Sequence, residues 1–267
     1  MTVSISAVKS QAKKALFGNW VIAIVSALTV IFSFLMIQNI AWVFSLVLGD
    51  VVANFIMILL TVLLCGPLAL GVFRLFWRLH GGLVESPANA FYYFSSTARY
   101  YKAIKLCFML SLRLLMFAAV FYLPAILLYI ISSPDLYDFL KMPIPMWSQY
   151  LQHLVNFFSS IGAVLIISSM LRFYLAPVLV IADDEMDAEE AVHMSAVIAK
   201  TSFTDFIFLA FSLLFWIIIS LLFIPLIFTL PYFIMCYVVH SKVAIKDYNE
   251  RIKKLIDDKL PSFVAGV

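Results

Sequence analysis

Uninterrupted apolar runs dominate this chain and leave it very few ways to fold. Several continue for about 20 residues or more, the length that a helix needs to cross the hydrocarbon core of a bilayer. Of the 267 residues, 64% are hydrophobic and only 12% are charged, whereas soluble domains are about half apolar and about a quarter charged. Because backbone polar groups must pair internally in lipid, the sequence predicts an all-α polytopic integral membrane bundle.

The apolar runs predict about six transmembrane helices. The expected spans are residues 20–38, 51–77, 104–132, 154–182, 204–223 and 226–245. Residues 39–49 are expected to cap the outer end of the first span. The last two spans share one apolar stretch, so we place the turn of this final hairpin near residues 225–231, where two prolines suit a turn. The six spans are expected to form one membrane domain over residues 1–240, followed by a basic cytoplasmic helix or tail over residues 241–267.

The distribution of lysine and arginine predicts the orientation. Cytoplasmic loops carry an excess of these residues, and with six spans nearly all flanking basic residues fall on one side. That side holds Lys9, Lys13, Lys14, Arg74, Arg78, Arg99, Lys102, Lys105, Lys200 and the basic tail. Only Lys141 falls on the other side. Both termini are therefore expected in the cytoplasm.

A short amphipathic segment precedes each pair of spans, at residues 5–17, 87–105 and 187–201. The third begins with Asp187 followed three residues later by Glu190, the spacing of a capping box. The chain is interpreted either as three units of interfacial helix and hairpin, or as an ordinary multi-span protein with amphipathic inner loops. In both cases these segments are expected to lie as short cytoplasmic helices in the headgroup plane.

Arginines within the predicted spans are the strongest pointer to a binding site. Arg113 lies eight residues beyond Lys105, which is about 12 Å along a helix, and Arg172 precedes an acidic pair by a similar distance. Both are expected at similar depth in the cytoplasmic half. They either reach the interface, bond backbone carbonyls freed by proline, bind an anion such as a lipid phosphate, or pair with the acidic inner loop. Arg74 is a shallower candidate and also suits an interface anchor.

Two charged segments are candidate contacts for the interface or a partner. An acidic run over residues 183–190 contains Asp187 and Glu190, and it is expected either to be solvated, to dock onto basic inner segments, or to bind a cation or a partner. The tail contains Lys253 and Lys254 beside a narrow apolar stripe, listed as Tyr248, Ile252, Leu255 and Ile256. This tail either extends into solvent, lies on anionic lipid or binds a partner helix.

The sequence predicts no catalytic residue, metal site or cofactor. The three cysteines are scattered and show no paired spacing. The four histidines form neither H-E-x-x-H nor another ligand spacing, and no serine lies in a nucleophile-elbow context. Basic residues are confined to the membrane flanks, which argues against nucleic-acid binding.

An ordered set of short motifs resembles a known family. The motifs are Gly66-Pro67-Leu68 with Gly71, Arg74 and Gly81-Gly82; Tyr174-Leu175-Ala176-Pro177 with Ala182-Asp183; Ala191, Ser195, Ile198 and Lys200; and Phe211-Ser212, Trp216 and Pro231-Tyr232. Over roughly residues 15–239 they resemble an uncharacterised bacterial six-span family related to the membrane domain attached to some glycerophosphodiester phosphodiesterases. The resemblance implies a multi-pass protein of the bacterial cytoplasmic (inner) membrane, and it implies no substrate. The chain departs from the family pattern in its bulky residues 224–230 and its long basic tail.

Two functions fit these features. The first is a non-enzymatic scaffold or accessory factor that binds membrane lipid or a partner membrane protein through its interfacial helices and tail. The second is a small transporter or flippase-like protein for an anionic amphiphile, with Arg113 and Arg172 lining an inner-leaflet cavity. The spans are poor in polar residues, which favours the first function over the second.

Overall fold

The computed structural model of this chain describes residues 4–143, 147–220 and 225–264, and that part of the chain is helical without a β-strand. Its α-helices are α1 (Ile5–Leu16), α2 (Trp20–Leu48), α3 (Asp50–Leu60), α4 (Gly66–His80), α5 (Thr97–Phe121), α6 (Leu123–Ser132), α7 (Pro134–Leu140), α8 (Ser148–Met170), α9 (Ala176–Ala182), α10 (Ala188–Ser220) and α11 (Leu226–Val264). A π-helical turn, Thr61–Cys65, joins α3 to α4, and 3-10 segments cover Pro87–Ser95 and Leu171–Phe173.

Within the described residues, six helical segments are long and apolar enough to cross a membrane. They are Trp20–Leu48, Asp50–His80, Thr97–Phe121, Tyr150–Ala182, Ala188–Trp216 and Leu226–Ile256. The prediction of an all-α polytopic bundle with about six spans is confirmed. Most residues in these segments are not buried in the isolated chain, as expected when lipid rather than protein covers an apolar helix.

The first span is longer than predicted. Residues 39–49 were expected to cap it, but α2 continues to Leu48. The polar side chains in this stretch bond within the helix: the Asn39 amide donates to the Leu35 carbonyl at 2.8 Å, and the Ser45 hydroxyl donates to the Trp42 carbonyl at 2.8 Å. Because these bonds satisfy the polar groups locally, they do not end the helix.

The final turn does not extend as far as predicted. The prediction placed it near residues 225–231, but α11 begins at Leu226 and Pro231 lies inside that helix. Residues 221–224, which precede the predicted turn, lie outside the described residues. At the other end of α10, the amphipathic segment at residues 187–201 and the fifth span form one continuous helix from Ala188 to Ser220, so no separate interfacial helix precedes this span.

A proline explains the π-helical turn in the second span. Pro67 has no N–H, so the carbonyl four residues earlier, that of Leu63, loses its helical partner. The backbone widens at Thr61–Cys65, and the Tyr100 hydroxyl of α5 donates to the Leu63 carbonyl at 3.1 Å. This hydrogen bond satisfies the orphaned carbonyl and links α5 to the second span.

The contacts divide the chain into two units. One comprises the chain up to Cys107 and from Leu175 onward, and the other is Phe108–Tyr174. In the first unit, the apolar face of α1 packs on α4, α10 and α11. The buried residues of this core include Val8, Ala12, Leu16, Leu75, Phe76, Leu209, Met235 and Val239. The N-terminal helix therefore contributes side chains to the hydrophobic core of this unit.

The second unit is a hairpin of α6 against α8 with the end of α5. α5 and α6 are separated at Tyr122, just before Pro124. Gly162 of α8 allows the close approach, because a Cβ atom there would lie 3.0 Å from the Phe121 carbonyl oxygen. Small residues at such contacts are typical of membrane helix pairs.

Candidate functional site

The amphipathic helix α1 places two lysines beside the final hairpin. Val8, Ala12 and Leu16 occupy one buried face of α1. Lys9 and Lys13 are one turn apart and project from the adjacent face, where they line a cavity of about 500 Å³. Residues four apart on a helix lie on the same side, so both ammonium groups serve one cavity.

We call this cavity the α1 pocket. Its other walls are mainly aromatic. They are formed by Phe17, Trp20, Trp216, Phe228, Thr229 and Tyr232. The rings of Trp20 and Phe228 meet edge to face, with their centroids 6.3 Å apart. Phe17 is 85% exposed and Phe228 is 54% exposed, so the apolar side of the α1 pocket is open to its surroundings. The pocket is thus cationic on one side and aromatic on the other.

The two lysines differ in how firmly they are held. The Lys9 ammonium donates a hydrogen bond to the Ser212 carbonyl of α10 at 2.9 Å, which fixes it at the rim of the pocket. Lys13 is exposed, and its ammonium group donates no hydrogen bond within the described residues. An ammonium group has three N–H donors, so Lys9 retains donors for an anion while it bonds Ser212.

The predicted intramembrane arginines lie in the second unit. The Arg113 guanidinium carbon lies 4.5 Å from the ring centroid of Phe173, the residue that follows Arg172. Phe117 stacks on the same ring with a 16° angle and a 6.4 Å centroid distance. Arg113 is half-buried and Arg172 is exposed. The structure therefore brings Arg113 to the Arg172 turn, and the contact it shows for Arg113 is an aromatic face.

Arg74 and Arg78 of α4 have contrasting partners. Arg78 pairs with the carboxylate of Glu85, which also accepts a hydrogen bond from Asn89. Arg74 instead places its guanidinium carbon 3.4 Å from the ring centroid of Tyr92 in the 3-10 segment. The interface-anchor role predicted for Arg74 and its role as an anion ligand both stay predictions.

The acidic run docks onto the start of α5. Lys102 donates to the backbone carbonyls of Asp183 and Asp184, at 3.3 and 2.8 Å, and Lys105 pairs with the Asp187 carboxylate at 2.6 Å. The hydrogen bond from Lys105 holds the pKa of Asp187 below its usual range, and the N–H groups of Ala188 and Glu189 act in the same direction. Asp187 therefore caps α10, as its sequence position predicts, and also ties α10 to α5.

The remaining partner candidates are surface residues. Glu190 is exposed on the first turn of α10, and Lys253 and Lys254 are exposed on α11. Lys253 borders a groove of about 390 Å³, whose other lining residues are Met194, Tyr248, Asn249, Ile252 and Ile256. Most of the predicted apolar stripe of the tail thus lies along the side of α11 that is next to α10.

Comparison with known proteins adds no further assignment: no family model matches the chain, and no curated protein or solved structure is significantly similar to it. The resemblance to the uncharacterised six-span family stays a prediction. Fold and site define this protein as a multi-pass α-helical membrane protein whose N-terminal amphipathic helix helps to enclose an amphipathic pocket.

The α1 pocket was not predicted from the sequence. Its residues come from the two ends of the chain, and neither the lysines nor the aromatic residues are unusual in membrane flanks. A signal was present in the i, i+4 spacing of Lys9 and Lys13 beside the apolar face of α1. It did not indicate which helices α1 packs against, and the pocket depends on that packing.

Proposed function

We propose that this protein is a non-enzymatic integral membrane accessory protein that binds an anionic lipid in the α1 pocket. The observation that carries the proposal is the joint lining of one cavity by Lys9, Lys13 and five aromatic side chains. Ammonium groups attract a headgroup phosphate, and aromatic side chains suit the boundary between headgroups and acyl chains. A cavity of about 500 Å³ is in the size range of small-molecule sites and fits a headgroup with its first methylene groups.

The expected position of α1 supports the same ligand. The buried face of α1 packs on α4 and α11, and Lys9, Lys13 and Lys14 project from its other faces. Because basic residues favour the cytoplasmic side and anionic lipids attract them, we place α1 at the cytoplasmic leaflet of a bacterial inner membrane. A lipid bound there would bridge α1 to the α10–α11 hairpin.

The accessory role follows from what such a lipid does to the protein. A ligand that binds only the folded arrangement stabilises it by mass action. An anionic lipid in the α1 pocket therefore makes the docking of α1 dependent on lipid composition. The faces near Asp187, Glu190, Lys253 and Lys254 are then available to a partner membrane protein whose contacts depend on that arrangement.

Native mass spectrometry of the gently extracted protein tests this proposal. We expect the wild type to retain an anionic phospholipid and the Lys9→Ala/Lys13→Ala variant to lose at least about nine-tenths of it, since each lysine contributes a charge-assisted contact. Lys14→Ala is the matched control, because Lys14 is exposed on the same helix and does not line the pocket. Equal retention by all three proteins, or no lipid on the wild type, would contradict the proposal.

A further inference from the structure

A second basic and aromatic cluster lies in the first unit, on the 3-10 segment Pro87–Ser95. Two arginines face one ring there: the guanidinium carbons of Arg74 and Arg99 lie 3.4 and 4.3 Å from the ring centroid of Tyr92. The two carbons are thus no more than about 8 Å apart, a distance at which like charges repel each other. Arg99 also donates to the Ser95 hydroxyl at 3.1 Å.

Neither arginine of this pair forms an ion pair with a carboxylate within the described residues. The neighbouring Arg78, one helical turn beyond Arg74, does: its guanidinium pairs with the buried carboxylate of Glu85. The segment that follows α4 therefore gives a counter-charge to Arg78, through Glu85, and an aromatic face to Arg74, through Tyr92.

A buried hydroxyl completes the cluster. Tyr93 is 2% exposed and its ring meets that of Tyr92 edge to face, yet its hydroxyl has no hydrogen-bond partner within the described residues. Burial raises the pKa of Tyr93, and the hydroxyl lies within electrostatic reach of Arg74, Asp184 and Arg99. It is therefore a protonated donor at neutral pH, and a buried donor without a partner is costly unless a ligand or water satisfies it.

The cluster sits on a rigid support. A Cβ atom on Gly71 would lie 1.8 Å from the Ala90 carbonyl oxygen, so the 3-10 segment rests directly on the backbone of α4. The buried Glu85 carboxylate, which pairs with Arg78, also accepts a hydrogen bond from Asn89, the residue before Ala90. Side chains held on such a support keep their positions when a ligand arrives, which lowers the entropic cost of binding.

From this arrangement we propose that Arg74 and Arg99, which both contact the Tyr92 ring, bind a phosphate group at a site separate from the α1 pocket. Two planar guanidinium forks match the oxygens and the double negative charge of a phosphate monoester. The Asp184 carboxylate acts electrostatically on Tyr93 of the cluster, and the backbone of the Asp184 loop is held by Lys102. The phosphate belongs either to a lipid headgroup or to a soluble phosphorylated compound.

Binding measurements on delipidated full-length protein test the site, with inorganic phosphate and glycerol phosphate as soluble probes and nanodiscs containing phosphatidic acid or only phosphatidylcholine as lipid probes. We expect saturable binding to at least one phosphate probe, at least tenfold weaker in Arg74→Ala/Arg99→Ala. Arg251→Ala is the matched control, because that exposed arginine pairs with Asp247 on the tail. Arg74→Lys/Arg99→Lys keeps the charge and loses the forks, so it should bind with intermediate affinity.

The probes and variants separate the possible outcomes. Binding of the soluble probes assigns a soluble ligand, whereas binding only to phosphatidic acid nanodiscs assigns a lipid headgroup, and both support the site. If the double variant does not fold, the binding test is repeated with the single variant Arg99→Ala, because Arg99 is exposed. Binding that is lost in Lys9→Ala/Lys13→Ala and kept in the arginine variants overturns this site and assigns the bound phosphate to the α1 pocket. The absence of binding to every phosphate probe also overturns this site.

Discussion

Replacing Arg78 by alanine is expected to lower the free energy of unfolding by about 3–5 kcal/mol, the cost of leaving a buried charge without its partner. The Glu85 side chain is 1% exposed, whereas that of Arg78 is 38% exposed. Without Arg78, the buried Glu85 carboxylate loses its counter-charge, and Asn89 is the side-chain partner that the described residues still give it. The measurement is reversible unfolding of the purified protein in mixed micelles.

The unequal burial of the two partners sharpens this test. Glu85→Gln should cost less than Arg78→Ala, because the partly exposed guanidinium can be solvated while a buried carboxylate cannot. The double variant should lose less stability than the sum of the two single variants, since the partners are coupled. Arg251→Ala breaks an exposed pair with Asp247 and should cost about 0–1 kcal/mol. A cost for Arg78→Ala no larger than that of Arg251→Ala would contradict the account.

Replacing Gly71 by alanine is expected to destabilise the protein by about 1–3 kcal/mol, as overpacking of a tight contact does. The sign of this change in stability is informative, because a glycine-to-alanine replacement in an exposed helix interior raises the stability by about 1 kcal/mol. The added Cβ atom would lie 1.8 Å from the Ala90 carbonyl oxygen. Backbone cannot rotate away as a side chain can, so the Pro87–Ser95 segment must lift from α4. The same unfolding experiment measures the effect.

Gly66 provides the matched control for Gly71, because it belongs to the same helix. Its added Cβ atom would meet the Cys107 thiol at 2.5 Å, and a side chain can adopt another rotamer at modest cost. Gly66→Ala should therefore be clearly less destabilising than Gly71→Ala. A neutral or stabilising Gly71→Ala would mean that the 3-10 segment does not rest on α4, and it would also remove the support for the phosphate site at Arg74 and Arg99.

The fold class and the number of spans could be predicted from the sequence because they depend on the length and apolarity of single segments. The ends of the helices were less predictable where polar side chains donate hydrogen bonds to backbone carbonyls of their own helix. Residues 39–49 were expected to cap the first span, but the side chains of Asn39 and Ser45 bond carbonyls one turn back and the helix continues to Leu48. Pro231 indicated a turn and instead lies inside α11. Local polarity and proline do not reveal where a backbone group finds its partner.

The candidate site was less predictable than the fold, because it depends on packing between distant segments. Arg113 and Arg172 were singled out for their depth, and the contact that the structure adds for Arg113 is the Phe173 ring. The α1 pocket joins Lys9 and Lys13 to residues more than 200 positions away, a pairing that no local pattern indicates. By contrast, the docking of the acidic run onto basic inner segments was among the expected alternatives, since opposite charges on one face attract.

Photo-crosslinking with an anionic phospholipid that carries a photoreactive group near its headgroup tests the central claim most directly, because it locates the bound lipid on the chain. Peptides of α1, α10 and α11 that contain Phe17, Trp216 or Phe228 are expected to carry the crosslink, and the Lys9→Ala/Lys13→Ala variant is expected to lose it while Lys14→Ala keeps it. Crosslinks concentrated on the peptides of Arg113 and Phe173, or crosslinks to the α1 pocket that are unchanged in the lysine variant, would contradict lipid binding by the α1 pocket.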